Sequence, residues 1–186
     1  RMQTPPAPGH AAVSGDARTT ERLMLRRPGP ADGPGYRALL MDTVIGQWLR
    51  PQPMRPFEPA DGDLWLGEDE AHWDRFGFGP WAVLERESGD YLGRVGLRWT
   101  EIGERVGIEL VWAIDPGRHG EGFAGEAAAA ALALAGELEL DEVFAMILPI
   151  NAASLRVAEK IGLERTGNVE HACFDHLLFR AEPACG

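Results

Sequence analysis

A chain of 186 residues, 45% hydrophobic and 25% charged, has the length and apolar content for one globular domain with a sizeable core. With a formal net charge of −11 and no clustered Lys/Arg face, it is not built to displace counterions from a nucleic acid, and no apolar run approaches the ~20 residues that span a bilayer. Two cysteines, Cys173 and Cys185, and no secretory pattern fit a cytoplasmic chain with free thiols.

Residues 1–19 are rich in Pro, Gly, Ala, Ser and Thr without hydrophobic periodicity, which predicts a disordered tail. Order is expected from Thr20, where Leu23 and Leu25 alternate with Arg22, Met24 and Arg26 as in a strand. Tyr36, Leu39, Leu40, Val44, Ile45, Trp48 and Leu49 recur at helical spacing over 36–49. A Pro-rich break at 51–59 separates this helix from an acidic second one at 61–76. Ser88-Gly89-Asp90, between apolar-rich 81–87 and 91–99, predicts a hairpin, and another strand covers about 106–114. An alanine-rich helix runs from Gly122 to about Ala135, with Gly136 as the expected C′ residue. Val143–Leu148 reads as a buried strand stopped by Pro149. Asn151 is the expected N-cap of a short helix at 152–161 that Gly162 ends, and 164–180 alternates enough for two closing strands. The order β-α-α-β-β-β-α-β-α-β-β predicts one α/β (α+β) domain over 20–180. Its sheet is mixed, mostly antiparallel, of about seven strands flanked by helices, and 181–186 form a C-terminal tail.

The stretch 106–127 carries the most chemistry. An apolar run ends at Asp115-Pro116, a glycine-punctuated loop follows, and a helix begins at once. A strand that stops where a helix starts leaves several backbone N–H groups unpaired at the positive end of the helix dipole, a setting that favours phosphate. Gly120-Glu-Gly-Phe-Ala-Gly125 is literally G-x-G-x-x-G, and Asp141 and Glu142 follow about twenty residues on, as in a dinucleotide site. The context opposes that reading. A dinucleotide fold needs the acidic residue at the end of its second strand, whereas Asp141 and Glu142 precede Val143–Leu148. The loop also follows an antiparallel hairpin system, and too little chain remains after residue 150 for the second half of a doubly wound sheet.

Glu109-Leu-Val-Trp-Ala-Ile-Asp-Pro116, the loop to Gly122, and Phe123-Ala-Gly-Glu-Ala127 resemble the acetyl-CoA site of the GCN5-related N-acetyltransferase (GNAT) superfamily. Asn151-Ala-Ala-Ser154, followed by Glu159-Lys160-Ile-Gly162, resembles the N-x-x-S…E-K-x-G signature of its ribosomal-protein N-terminal acetyltransferase (RimJ/RimL-like) branch. The likeness covers roughly 20–180 and is strongest at 106–165. It implies a single GNAT-type domain that uses acetyl-CoA as co-substrate, without a metal. The acetyl group passes directly to a primary amine, either a protein N-terminus or a small molecule, in a monomer or homodimer with no nucleic acid or membrane partner. Two positions depart from the family: Gly117 stands where many members open the loop with Gln or Arg, and Ala158 where many carry a tyrosine general acid. An acyl-CoA-binding or regulatory domain with little activity is therefore the competing expectation.

The resemblance also implies roles. Main-chain N–H groups of Val111, Trp112, Ala113 and Ile114 hold pantetheine and polarise the acetyl carbonyl, while Arg118, His119, Gly120, Glu121, Gly122, Phe123 and Ala124 surround the pyrophosphate. Asn151 adds a cofactor contact to its capping role, and Ser154 donates to the departing thiolate. Arg156 and Lys160 either meet CoA phosphates or remain solvated on the helix surface. Glu109 sits in a run apolar enough to bury it; burial raises a carboxylate pKa and fits a base or amine-orienting group. An outward, solvated carboxylate is the bland alternative. Trp48, Trp65, Trp73, Trp81 and Trp99, with Phe76 and Phe78, are either core or cleft wall. Asp61, Asp63, Glu68, Asp69, Glu70 and Asp74 either attract a protonated amine or form a charged solvent face. His171 and His176 lack metal-ligand companions, and no cysteine near the motifs offers a nucleophile.

Overall fold

Leu23 and Leu25 are fully buried while Met24 between them is exposed, the signature of a strand with one face on a core. The computed structural model describes residues 16–52 and 54–183. In chain order the elements are β1 (Ala17–Thr19), β2 (Leu23–Arg26), α1 (Gly33–Met41), α2 (Thr43–Leu49), α3 (Pro59–Phe76), β3 (Pro80–Glu85), β4 (Tyr91–Ile102) and β5 (Arg105–Ile114). They continue with α4 (Phe123–Glu137), β6 (Val143–Ile147), α5 (Ala152–Lys160), β7 (Glu164–His171) and β8 (Phe174–Ala181). The strands form one sheet in the order β1-β2-β3-β4-β5-β6-β8-β7, antiparallel everywhere except between β5 and β6. This is the mixed, mostly antiparallel α/β architecture expected, with eight strands rather than about seven.

The additional strand is β1. Its pairing with β2, Ala17 opposite Arg26, starts the fold ahead of Thr20, and Arg18 anchors it with hydrogen bonds of 2.8 and 2.6 Å to Glu137 on α4. Residues 1–15 and Cys185, on which the tail and thiol expectations also bear, lie outside the described residues. The helix expected over 36–49 is two helices. Asp42 leaves helical geometry, and its carboxylate accepts hydrogen bonds from the N–H groups of Val44 and Ile45. A side chain that caps well has overridden a continuous apolar period.

Gly136 is not the C′ residue of α4 but a buried position inside it. The left-handed turn falls on Glu139 (φ 53°), and Leu140 N–H closes it on the Ala135 carbonyl at 3.0 Å. Small residues serve a different purpose here: Ala127, Ala128, Ala131 and Ala135 are fully buried, so α4 lies close against β4 and β5. α5 ends as expected, with Gly162 at φ 77° and Leu163 N–H on the Ala158 carbonyl at 2.9 Å.

Val95, Leu97, Ile108 and Leu110 belong to the core beneath α4. Because side chains alternate along a strand, Arg94 and Arg98 of β4, with Glu109 and Val111 opposite on β5, occupy the other face, toward α1 and α3. His72 of α3 ties this side together. Its Nδ1 donates to the Phe78 carbonyl (2.7 Å), and Nε2 accepts from Trp99 N–H (2.9 Å), so the ring must be neutral. Burial pushes its pKa below 6.5. A depressed pKa means that the unfolded chain binds more protons, so the stability this group contributes is complete above about pH 6.5 and is lost as pH falls. Chemical denaturation should show unfolding free energy declining below about pH 6.5, less steeply in His72→Gln. Parallel profiles for the two proteins would exclude His72 as a source.

The one parallel junction is unlike the others. β5 and β6 register only at Glu109 opposite Phe144, after which β6 pairs on through Ile147 with β8 alone. The two strands therefore diverge beyond Glu109, and the sheet opens as a wedge along Leu110–Ile114.

Candidate functional site

Two connected clefts occupy the wedge, of about 330 and 200 Å³. Trp48, Leu49, Trp112, Ala113, Asn151 and Ser154 line both and mark their junction. The larger runs under the 118–125 loop between α4 and α5; the smaller passes through the wedge to Trp65, Arg94, Arg98, Glu109, His171 and His176. Every residue expected at the site lines one of them except Glu121.

The loop is organised from within. Asp115 accepts from Gly117 N–H at 2.9 Å, and the His119 ring Nε2 lies 2.8 Å from the Ile114 carbonyl. Gly120 and Gly122 take left-handed φ angles of 86° and 88°, which turn the chain directly into α4. No side chain caps α4, so the N–H groups of its first turn stand without intrahelical partners at the cleft. Arg118 lines the larger cleft as expected and forms ion pairs with Glu121 (2.7 Å) and Glu85 (2.8 Å), which raise its pKa further. Two carboxylates thus already answer its charge.

The cations beside the N–H groups are Arg22 and Lys160. A Cβ on Gly122 would lie 3.5 Å from both Arg22 Nη2 and Lys160 Nζ. Arg22 is locked by Glu126 (2.8 Å), by the Glu121 carbonyl (2.8 Å) and over the Phe123 ring (4.5 Å). Among the described residues Lys160 has no carboxylate partner. Donors, a dipole end and a cation converge here as an anionic phosphate requires. Arg22 lies about a hundred residues from the loop in sequence, and no local signal reveals it.

At the junction, Asn151 Oδ1 accepts from Ser154 N–H (3.0 Å), which confirms its capping role. Ser154 Oγ accepts from Trp112 Nε1 (3.1 Å). Indole can only donate, so the serine hydroxyl keeps its own proton for another acceptor. Ala158 is fully buried, so the family's tyrosine could not replace it without disrupting the core.

In the smaller cleft, Glu109 is buried as expected, but it faces Arg98, its register partner, with Oε2 3.3 Å from Nε. Four of the six residues of the acidic run are ion-paired, and Glu68 and Glu70 lie on the exposed or half-exposed side of α3. Asp61 bonds Arg55 and Arg50, Asp63 pairs with Arg37, Asp74 with Arg27, and Asp69 is buried against Arg94. Hydrogen bonds from Arg55, the Glu58 backbone and Arg50 hold the Asp61 carboxyl well below the usual range. Of the aromatics, Trp73 and Trp81 are core, whereas Trp48 and Trp65 wall the cleft. His171 and His176, considered only as metal ligands in the sequence, are cleft residues with ring centroids 5.6 Å apart. Among the described residues no group of His, Cys, Asp and Glu could hold a metal ion.

The acetyltransferase (GNAT) domain family matches residues 22–164. The chain is 38% identical over 151 residues to the N-acetyltransferase YnaD of Bacillus subtilis (strain 168), covering 80% of this chain and 83% of that one. It is 31% identical over 100 residues to the protein YkkB of the same organism, covering 53% of this chain and 58% of that one. An acetyltransferase structure from Agrobacterium tumefaciens str. C58 superposes with a TM-score of 0.78 at 28% identity, over 94% of this chain and 98% of its own. RimL, a ribosomal L7/L12 alpha-N-protein acetyltransferase solved with coenzyme A, shares the fold with a TM-score of 0.72 at 14% identity, over 90% and 97%.

Proposed function

Since this chain belongs to the GNAT family and is an acyltransferase, we propose that it transfers an acetyl group from acetyl-CoA directly to a primary amine, a protein N-terminus or a small molecule. The observation that carries this reading is the wedge beyond Glu109, which joins an anion cradle at the head of α4 to a cleft containing Glu109 and Ser154. The CoA-bound relative RimL supports the choice of donor.

The thioester supplies the activated acetyl group, and the chain supplies its surroundings. First-turn N–H groups of α4, with Lys160 and Arg22, hold the pyrophosphate. The N–H groups of Val111–Ile114 that face away from β4 hold the pantetheine arm and donate to the carbonyl oxygen as negative charge grows on it. Glu109 accepts a hydrogen bond from the incoming amine and orients it, with Arg98 fixing the carboxylate from behind. Ser154, oriented by Trp112, donates its hydroxyl proton in a hydrogen bond to the departing sulfur.

Thiol release from acetyl-CoA, measured with a panel of peptide and small-molecule amines, tests the reading. Tight CoA binding with no turnover on any amine would instead make the chain a binding domain. With an accepted amine, Glu109→Gln and Ser154→Ala should each lower kcat/KM about tenfold, the loss expected for one hydrogen bond to a charged group. Unchanged kinetics in both would remove those two roles.

A further inference from the structure

Aminolysis at neutral pH needs a group that removes a proton from the ammonium form of the acceptor, because a lysine-type amine has pKa ~10.4 and an α-amine ~8. Glu109 is already engaged with Arg98 and orients the amine, so a second group is required. Building on the amine-acetylation reading, we propose that His176 is this catalytic base, with Nε2 accepting the ammonium proton directly or through one water.

The tautomer follows from one contact. His176 Nδ1 lies 2.9 Å from the Phe174 carbonyl oxygen. A carbonyl can only accept, so Nδ1 carries the hydrogen and Nε2 carries the lone pair. Among the described residues Nε2 has no hydrogen-bond partner.

The position follows from strand register. Phe144 pairs with Glu109 on one side and with Arg180 on the other, and His176 lies two pleats from Arg180 on β8. His176 and Glu109 therefore share a face of the sheet, and both line the cleft that holds Ser154.

The surroundings suit a base at neutral pH. β7 presents His171, β5 presents Glu109 with Arg98 of β4 behind it, Asp175 adjoins on β8, and β6 with the residue after it contributes apolar Ala145, Met146, Ile147 and Leu148. Burial pushes the imidazole pKa below 6.5, against the carbonyl of Phe174, and the neighbouring His171 adds to the depression. Glu109 and Asp175 act in the opposite sense and stabilise the imidazolium once it has formed.

The proton balance closes. Nε2 takes one proton from R–NH3+, and the freed lone pair forms the C–N bond at the thioester carbonyl. The adduct collapses with C–S cleavage, and the remaining excess proton on nitrogen passes to sulfur, which departs as the thiol beside Ser154. The imidazolium then returns its proton to solvent. The products are the acetamide, CoA–SH and one H+.

His176→Asn tests the idea, because its amide can still donate to Phe174 while offering no base. The probes are a lysine-free peptide with a free N-terminus and an Nα-blocked lysine, assayed by thiol release from about pH 6 to 10. Without a base the variant must use amine that is already neutral. At pH 7 the loss in kcat/KM should be at least about tenfold for the lysine amine and smaller for the α-amine, and it should shrink as the pH rises toward each amine's own pKa. His176→Gln should show the same convergence if the asparagine variant folds poorly. No loss, or a loss that stays constant with pH, overturns the role of His176 alone. If the wild-type protein acetylates neither probe, the same comparison is made on an amine it accepts from the panel; turnover on no amine overturns the acetylation reading itself.

Discussion

Asp69→Ala is expected to lower the free energy of unfolding by about 3–5 kcal/mol, among the largest effects available to a single substitution here. Asp69 is buried on α3 and accepts two hydrogen bonds from Arg94, at 2.7 and 2.6 Å, and one from the Tyr36 hydroxyl at 2.7 Å. Burial by itself would lower the Arg94 pKa, but the adjacent carboxylate more than offsets this and raises it, so the guanidinium stays charged. Removing Asp69 leaves that charge in the interior with no counter-ion and the Tyr36 hydroxyl without its acceptor. The same pair holds Arg94 5.0 Å from the Trp65 ring at the cleft wall, so activity should fall with stability. Urea unfolding should show a lower midpoint with little change in slope. Replacing both partners, as Asp69→Leu with Arg94→Met, should cost clearly less than Asp69→Ala because no charge is stranded. A double variant as unstable as the single one would mean that the damage lies in packing instead.

Gly122→Asp is expected to weaken CoA binding by at least about 100-fold while leaving the fold intact. Aspartate tolerates a left-handed backbone better than most residues, so φ 88° alone does not unfold the loop. Its carboxylate, however, is placed where Arg22 and Lys160 converge and where first-turn N–H groups of α4 are open. It would satisfy those donors from within the chain and repel the pyrophosphate. Titration calorimetry with CoA measures the loss. Gly122→Ala, which brings the backbone strain without the charge, should lose several-fold less affinity. Equal losses for the two substitutions would attribute the effect to backbone geometry.

The loop that lines the larger cleft was readable in the sequence because it is local. A strand end, a loop rich in glycine and a helix start follow one another between Glu109 and Ala127, and their order alone generates a cluster of free N–H groups. Asn151 and Ser154 were readable for the same reason, since an N-cap and its target lie three residues apart. Gly136 misled because a glycine near a helix end signals a terminus, whereas here its lack of a side chain serves burial inside α4. The ion pair of Arg118 with Glu85 was not readable, because Glu85 comes from the preceding hairpin.

Apart from Glu109 and the aromatic wall, the smaller cleft was not readable, because its residues come from separate strands and helices. Arg94 and Arg98 of β4, Glu109 of β5 and His176 of β8 meet only where the sheet splits. The acidic run of α3 has an unambiguous composition, yet its partners Arg27, Arg37, Arg50, Arg55 and Arg94 are distributed over earlier and later elements. Composition gives the charge of a segment; only packing decides whether that charge is neutralised.

The sequence by itself determined the order of the elements after residue 80, the caps of α5 and the phosphate-type loop, since each depends on side-chain alternation or on hydrogen bonds between near neighbours. Tertiary structure alone decided the β5–β6 wedge, the Arg22–Lys160 pair at Gly122, the Arg98–Glu109 contact and the place of His176 in its cleft. Those features depend on which strands pair and where their pairing stops, a competition among backbone hydrogen bonds and buried surfaces over the whole chain that no short window of residues contains.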